Sequence, residues 1–369
     1  MTADRLTSVL LAGGGSAGHV SPLLALADCL TARHDGLQIV ALGTAQGLEA
    51  RLVPARGYRL ETVPKVPFPR RPSGDLLRLP GNLNAAVKAA GRAIDAAGAQ
   101  VVVGFGGYVS TPAYLAARKR RIPIVVHEQN ARPGMANKLG ARFSRHVGVT
   151  FGSTPLAGGQ LVGMPLRREI THLDRAAHRA EAMAHFGLDP QWPTLLVTGG
   201  SLGAQRLNTA FEASVSALSA AGIQVLHITG EGKDFTPADT GVGAPYKVVS
   251  YADRMDLAYS AADVVVARSG ANTVCELTAV GLPAVYVPLP IGNGEQRLNA
   301  TDVVAAGGGI VVDDADVSAE WVSSTLIPLL SDRERLHAMA TAAASIGVRD
   351  GDERLADLVE SAFATGGRA

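Results

Sequence analysis

Cysteine is scarce: Cys29 and Cys275 are the only two in 369 residues, far apart and each in a helical-looking stretch. That excludes a disulfide framework or a cysteine-built zinc site, and reads as two reduced, buried thiols. Long apolar runs are missing too, since none approaches the ~20 residues of a membrane span. Neither charge sign dominates: 34 Lys and Arg against 33 Asp and Glu leave a net charge of +1. Nucleic-acid binding usually shows a basic excess, so no nucleic-acid partner is expected. No Walker lysine follows any glycine loop, and no Cys/His cluster has metal spacing. The opening MTADRLTSVLLAGGG carries one Arg and runs straight into a strand, which does not read as a signal peptide.

Glycine, at 42 residues, is abundant, as expected where tight turns bring backbone close to a ligand. Short apolar runs alternate with longer, Ala-rich, helix-periodic segments. The runs are SVLLA, LQIVAL, AQVVVGFGG, IPIVVH and RHVGVT, then PTLLVTGG, IQVLHIT, YKVVSY, ADVVVARSG, LPAVYVP and GGIVVDD. Uninterrupted Val/Ile/Leu runs suit parallel strands covered on both faces. The alternation predicts an α/β protein with doubly wound parallel sheets.

The series restarts. SVLLAGGGSAG opens the first half and PTLLVTGGSLGAQ the second, each a strand, a glycine turn and a helix start. We therefore expect two Rossmann-like domains, residues 1–165 and 166–345, facing a cleft at the carboxyl ends of their sheets. Residues 346–369 are expected to form a helix returning to the first domain. One stretch, VPKVPFPRRPSGDLLRLPG, breaks the pattern with Lys65, Arg70 and Arg71 beside Phe68 and Leu76. It reads as a surface loop, with contact to an anionic membrane surface as the sharper alternative.

Gly13-x-Gly15-x-x-Gly18 spells a dinucleotide fingerprint, but a redox reading also needs an acid at the end of the second strand. Ala41 to Gly43 offer none, and Glu49 lies further on, inside the next helical segment. The turn remains an anion site in principle, because helix N-terminal amides are free and the dipole favours negative charge. His19 falls in the first helical turn. The dipole there, about 0.3–1 kcal/mol, biases it weakly toward the neutral imidazole of a general base. A histidine bonded to a neighbouring loop is the alternative.

Gly199-x-Ser201-x-Gly203 matches the nucleophile elbow of α/β hydrolases, but neither His227 nor His337 is placed for a triad. A phosphate-binding turn with Ser201 as a hydroxyl donor fits better. GFGGYVS, residues 104–110, and HEQN, His127 to Asn130, follow strands and are expected to line the cleft. RSGANTVCE places Glu276 on the helix after its turn, as a ribose-diol acceptor or a solvated helical acid. GEQRLNA supplies Glu295, Gln296 and Asn299. Asp314-x-Asp316 has the acidic spacing of metal-dependent glycosyltransferases. It also suits a helix N-terminus near Ser318, and no metal site is expected.

Taken in order, GGGSAGHVSP, GTAQGLEARLVPARGY, GFGGYVSTPAYLAA, HEQNARPGMANK, VGMPLR, GGSLGAQRLN, SYADRMDLAYSAADVVVARSGANTVCEL, GLPAVYVP and EQRLNA cover nearly the whole chain. The set closely resembles the MurG family of bacterial N-acetylglucosaminyltransferases (glycosyltransferase family 28, type B fold). The resemblance implies transfer of N-acetylglucosamine from UDP-N-acetylglucosamine to undecaprenyl-pyrophosphoryl-MurNAc-pentapeptide, inverting and without a metal cofactor. Ser201 and Arg167 would hold the donor diphosphate, Glu276 the ribose, and backbone at Ala252 the uracil. Ala271, Asn272, Thr273, Val274, Cys275, Gln296 and Asn130 would surround the rest of the donor, with Ser16, Ala17 and Gly18 near its sugar. Acceptor contacts would come from His19, Gly106, Gly107, Tyr108 and Ser110, with His19 as first choice of base and Glu276 also in the catalytic set. A lipid-linked acceptor implies peripheral contact with the cytoplasmic membrane face, and room for contacts with other cell-wall synthesis and division proteins.

Two departures from the family pattern stand out. Ala17 replaces a glycine and adds a methyl group where positive φ is a concern, and Met164 replaces an Asn before Pro165. Rival readings are a UDP-sugar 2-epimerase or other type B transferase on a soluble acceptor, and a non-catalytic sugar-nucleotide sensor.

Overall fold

The computed structural model describes residues 5–66, 75–200, 203–238 and 243–366. The chain divides into two compact units, residues 1–167 with 350–369, and residues 168–349.

The first unit runs β1 (Ser8–Ala12), α1 (Ala17–Arg33), β2 (Gln38–Gly43), α2 (Glu49–Ala55), β3 (Arg59–Thr62), α3 (Asp75–Ala97) and β4 (Val101–Gly104). It continues through α4 (Gly107–Arg120), β5 (Ile124–Glu128), α5 (Met135–Gly140), β6 (His146–Val149) and β7 (Gly159–Leu161). The second unit begins with α6 (Arg168–Thr171), α7 (Arg175–Phe186), β8 (Thr194–Thr198), α8 (Gln205–Glu212), α9 (Val215–Ala220) and β9 (Gln224–Ile228). Then come β10 (Tyr246–Val249), α10 (Met255–Ala261), β11 (Val264–Ala267), α11 (Ala271–Ala279), β12 (Ala284–Tyr286), α12 (Glu295–Asn299) and α13 (Thr301–Ala305). It closes with β13 (Gly309–Val311), α14 (Ala319–Trp321), α15 (Ile327–Ser331) and α16 (Arg333–Ile346). The last helix, α17 (Gly351–Gly366), belongs to the first unit.

Both sheets are wholly parallel. Their orders are β3-β2-β1-β4-β5-β6-β7 and β10-β9-β8-β11-β12-β13. In each, strand order reverses beside the first strand of the unit, so the switch points lie between β1 and β4 and between β8 and β11. Ligands of open α/β sheets bind at the carboxyl ends of such strands. Gly13–Gly15 follow β1 and Gly199–Gly203 follow β8, so each glycine turn stands at its sheet's switch point.

Strand residues point alternately to the two faces, and the core divides accordingly. Val9 and Leu11 pack with Leu26 and Leu30 of α1 and with Leu355 and Val359 of α17. Leu10 packs on the other face with Ile94 of α3 and Ala113 and Tyr114 of α4. Leu355 and Val359 are fully buried, worth about 1.5–3 kcal/mol each, which fixes α17 to this sheet. In the second unit Leu195 and Val197 of β8 pack against Leu207 and Phe211 of α8. β3, RLET, did not stand out in the sequence: it is a polar, half-exposed edge strand without an apolar run.

Among the described residues no helix is long and apolar enough to cross a membrane. Phe68, Arg70 and Arg71 lie outside the described residues, and α3 carries Leu76.

Candidate active site

At the first switch point, Gly15 takes a left-handed backbone, φ 89°, and Ala17 follows as the first residue of α1. Ser16 stands at the N-cap, yet its hydroxyl does not cap the helix. It lies 2.8 Å from His19 Nδ1. The other ring nitrogen, Nε2, backs onto Gly106, where a Cβ would lie 3.3 Å from it. Gly106 and Gly107 have φ of 88° and 74°, backbone that a side chain would strain. Burial lowers the His19 pKa from 6.5, opposed by the Glu49 carboxylate. The imidazole is therefore neutral at pH 7, the form a base requires.

His19 lines a cavity of about 410 Å³ with Gly14, Gly15, Ser16, Thr44, Gln46, Gly47, Lys65, Gly107, Tyr108 and Val109. Tyr108 is exposed, with Lys65 Nζ 5.7 Å from its ring centre. Ser110 does not belong to this lining. It is fully buried, its hydroxyl held between the carbonyls of Ala12 (3.0 Å) and Gly106 (2.7 Å), where it ties α4 to β1.

The sequence reading missed Glu49. Its carboxylate accepts hydrogen bonds from Gly15 N (2.9 Å), Thr44 N (2.7 Å) and Thr44 Oγ1 (2.8 Å), and the residue is fully buried. Burial alone would raise its pKa, but these hydrogen bonds hold it below the usual carboxylate value. A carboxylate does reach the first glycine turn, although it begins a helix six residues past β2.

HEQN turns largely inward. His127 Nε2 donates to Gly163 O (2.9 Å), and its Nδ1 lies 3.0 Å from Gln129 Nε2. Glu128 accepts from Asn130 N, Gly134 N and Asn137 Nδ2. These three side chains are buried and secure their own loop, so the expectation that they line a cleft fails for them. Asn130 is half-buried.

In the second unit, Gly200 and Gly203 have φ of 80° and 65°, and α8 follows Ala204 as its N-cap, without a side-chain cap. Asn208 of α8 donates to Thr229 O (3.1 Å) and meets His227 Nε2 (3.1 Å), locking the helix to the end of β9. Ser201 lies outside the described residues. Arg167 ends the first unit's long segment and is half-buried. Ala252 is buried, so only its backbone can offer a ligand specific contacts.

After β11, α11 presents Asn272, Thr273, Cys275 and Glu276 half-buried, while Ala271 and Val274 face the core. Glu276 Oε2 accepts from Tyr259 Oη at 2.7 Å, a partner on α10 that the sequence did not signal. Burial raises the Cys275 thiol well above its usual pKa, so it is no thiolate nucleophile. Gln296 Oε1 accepts from Leu289 N at 3.0 Å. Asp314 forms a nearly buried ion pair with Arg268 at 2.6 Å. That pair, together with Arg206 at 3.8 Å, gives Asp314 a structural role, whereas Asp316 is exposed.

Two Rossmann-like parallel sheets with glycine turns at both switch points define the class: a glycosyltransferase of type B fold. MurG of Acinetobacter baumannii aligns with a TM-score of 0.79 and 28% identity, over 96% of this chain and 99% of that one. The glycosyltransferase of kitacinnamycin, at 18% identity and a TM-score of 0.70, shares the fold over 97% of this chain and 100% of its own.

The chain belongs to glycosyltransferase family 28. The family's N-terminal domain matches residues 9–149 and its C-terminal domain residues 194–355. A Nocardioides protein is 59% identical over 353 residues, 95% of this chain and 97% of its own. It is named UDP-N-acetylglucosamine–N-acetylmuramyl-(pentapeptide) pyrophosphoryl-undecaprenol N-acetylglucosamine transferase. A Paenarthrobacter aurescens protein of the same name is 56% identical over 97% of this chain and 96% of its own.

Proposed function

We infer that this chain transfers N-acetylglucosamine from UDP-N-acetylglucosamine to the 4-hydroxyl of MurNAc in undecaprenyl-pyrophosphoryl-MurNAc-pentapeptide, a step of peptidoglycan synthesis. The observation that carries the reading is near-full-length identity of 59% to a relative named for that transfer. A neutral histidine in a cavity at the first switch point supplies the chemistry.

The reaction is an inverting displacement. The acceptor oxygen forms a bond to the anomeric carbon, the carbon–phosphate oxygen bond breaks, and its electron pair leaves with UDP. His19 Nε2 takes the hydroxyl proton while Nδ1–H donates to Ser16 Oγ. Charge gathering on the diphosphate is met by Arg167 and by backbone amides at the start of α8, with the Ser201 hydroxyl as a further donor in this reading. Glu276, oriented by Tyr259, accepts from the ribose hydroxyls. Backbone at Ala252 contacts the uracil, and Ala271 to Cys275, Gln296 and Asn130 complete the donor site. Ser16, Ala17 and Gly18 approach the transferred sugar; Gly106, Gly107 and Tyr108 receive the acceptor. No metal is needed for these steps. Membrane association is peripheral, through the lipid-linked acceptor at the cytoplasmic face. The test is to incubate the purified chain with the labelled donor and a shortened lipid-linked MurNAc acceptor in EDTA. Formation of the disaccharide supports the reading, and its absence with competent donor binding rejects it.

A further inference from the structure

Glu49 occupies the place where a glycine turn ordinarily takes a phosphate. Its carboxylate accepts from Gly15 N at 2.9 Å, so this amide of the turn is already bound to an anion. A Cβ on Gly14, Gly43 or Gly47 would overlap the Glu49 side chain. The three glycines form a cradle for this carboxylate, and no solvent reaches it. The turn after β8 is built otherwise: Cβ atoms at Gly199 and Gly203 would meet backbone, at Ala204 and Thr229. Among the described residues no carboxylate accepts from that turn.

We propose that Glu49 is a built-in anion that fills the first glycine turn, positions the Ser16–His19 segment, and bars the acceptor's diphosphate from the turn. The inference rests on the transferase reading and assigns the turn's role within it. An entering diphosphate would meet a fixed negative charge and an occupied amide. The acceptor therefore directs its neutral sugar hydroxyl to His19 and leaves its diphosphate on the side of Lys65, which lines the same cavity. The groups facing His19 there are Glu49 from α2, Ser16, the Gly106–Gly107 backbone, Tyr108 from α4 and Lys65 after β3. Glu49 touches neither substrate nor reacting atoms, so it is a positioning residue.

The test compares full-length wild type with Glu49→Gln and Glu49→Ala, using two readouts that do not require transfer. In amide NMR with inorganic pyrophosphate, the Gly14–Gly18 signals stay still in wild type and shift saturably in Glu49→Ala. In imidazole titrations, His19 loses a proton-stabilising charge, so its pKa falls in both variants. In transfer assays Glu49→Gln lowers kcat roughly tenfold to a hundredfold, with KM for the donor within about twofold. The acid limb of its kcat profile moves to lower pH. Pyrophosphate binding to the wild-type turn, or an unmoved His19 titration with unchanged kcat, overturns the proposal. If wild type transfers nothing, the transferase reading fails while the two NMR readouts still decide whether Glu49 fills the turn.

Discussion

The Ser16 hydroxyl lies 2.8 Å from His19 Nδ1, so the side chain of α1's N-cap residue serves the imidazole while its carbonyl accepts the first helical amides. With Nδ1–H donating to Ser16, the free lone pair sits on Nε2, toward Gly106. Ser16→Ala removes this orientation and leaves the base in place. We expect kcat to fall about tenfold, consistent with loss of one hydrogen bond of about 1–1.5 kcal/mol, with a smaller loss of donor affinity. Steady-state kinetics beside donor titration check the split.

Tyr259 holds Glu276 at 2.7 Å. Tyr259→Phe keeps the ring and loses the donor, so KM for UDP-N-acetylglucosamine rises by roughly threefold to tenfold. Glu276→Ala removes the ribose acceptor and raises it further. Equal KM values for Glu276→Ala and wild type would place the carboxylate outside the donor site.

His127 and His227 are buried, which lowers both to about 4 from 6.5. The native state declines a proton that the unfolded chain accepts between these values. Stability is therefore full above about pH 6.5 and falls as pH drops toward 4. The slope is up to about 1.4 kcal/mol per pH unit for each histidine. Denaturant midpoints at pH 7, 6 and 5 should decline stepwise; a flat series contradicts the assignment.

Arg268 and Asp314 pair at 2.6 Å with little solvent contact. Breaking such a pair leaves a charge uncompensated, at a cost of about 3 kcal/mol. Asp314→Asn should lower Tm by several degrees, and EDTA should leave wild-type transfer unchanged. Activity restored by a divalent cation after EDTA would return Asp314 to the chemistry.

Among the described residues, Lys65 is the Lys or Arg side chain lining the His19 cavity. Lys65→Ala should raise KM for the lipid-linked acceptor by about threefold to tenfold while KM for the donor stays fixed. Acceptor titration at saturating donor distinguishes the two.

The parallel sheets were legible because strands buried on both faces must be apolar, and the Val/Ile/Leu runs from SVLLA to GGIVVDD each contain a strand. β3 was not, since an edge strand carrying Arg59 and Glu61 has no such run. At the site, His19 and the glycine turns were readable from local spelling. Glu49 was not, because its reach back to Gly15 crosses 34 positions and depends on β2 lying beside β1. HEQN misled for a related reason: polarity after a strand marks exposure only when the loop needs no internal hydrogen bonds, and this one uses Glu128 to close itself. Arg268 and Asp314 meet only when β11 and the segment after β13 come together.

The most direct measurement sets transfer against donor binding in wild type and His19→Ala, using UDP-N-acetylglucosamine and a lipid-linked MurNAc acceptor. The account predicts disaccharide from wild type, and in His19→Ala an unchanged donor Kd with kcat lowered by about a hundredfold or more. A wild-type chain that binds the donor without turnover would contradict it, as would a variant that loses binding and turnover in equal measure.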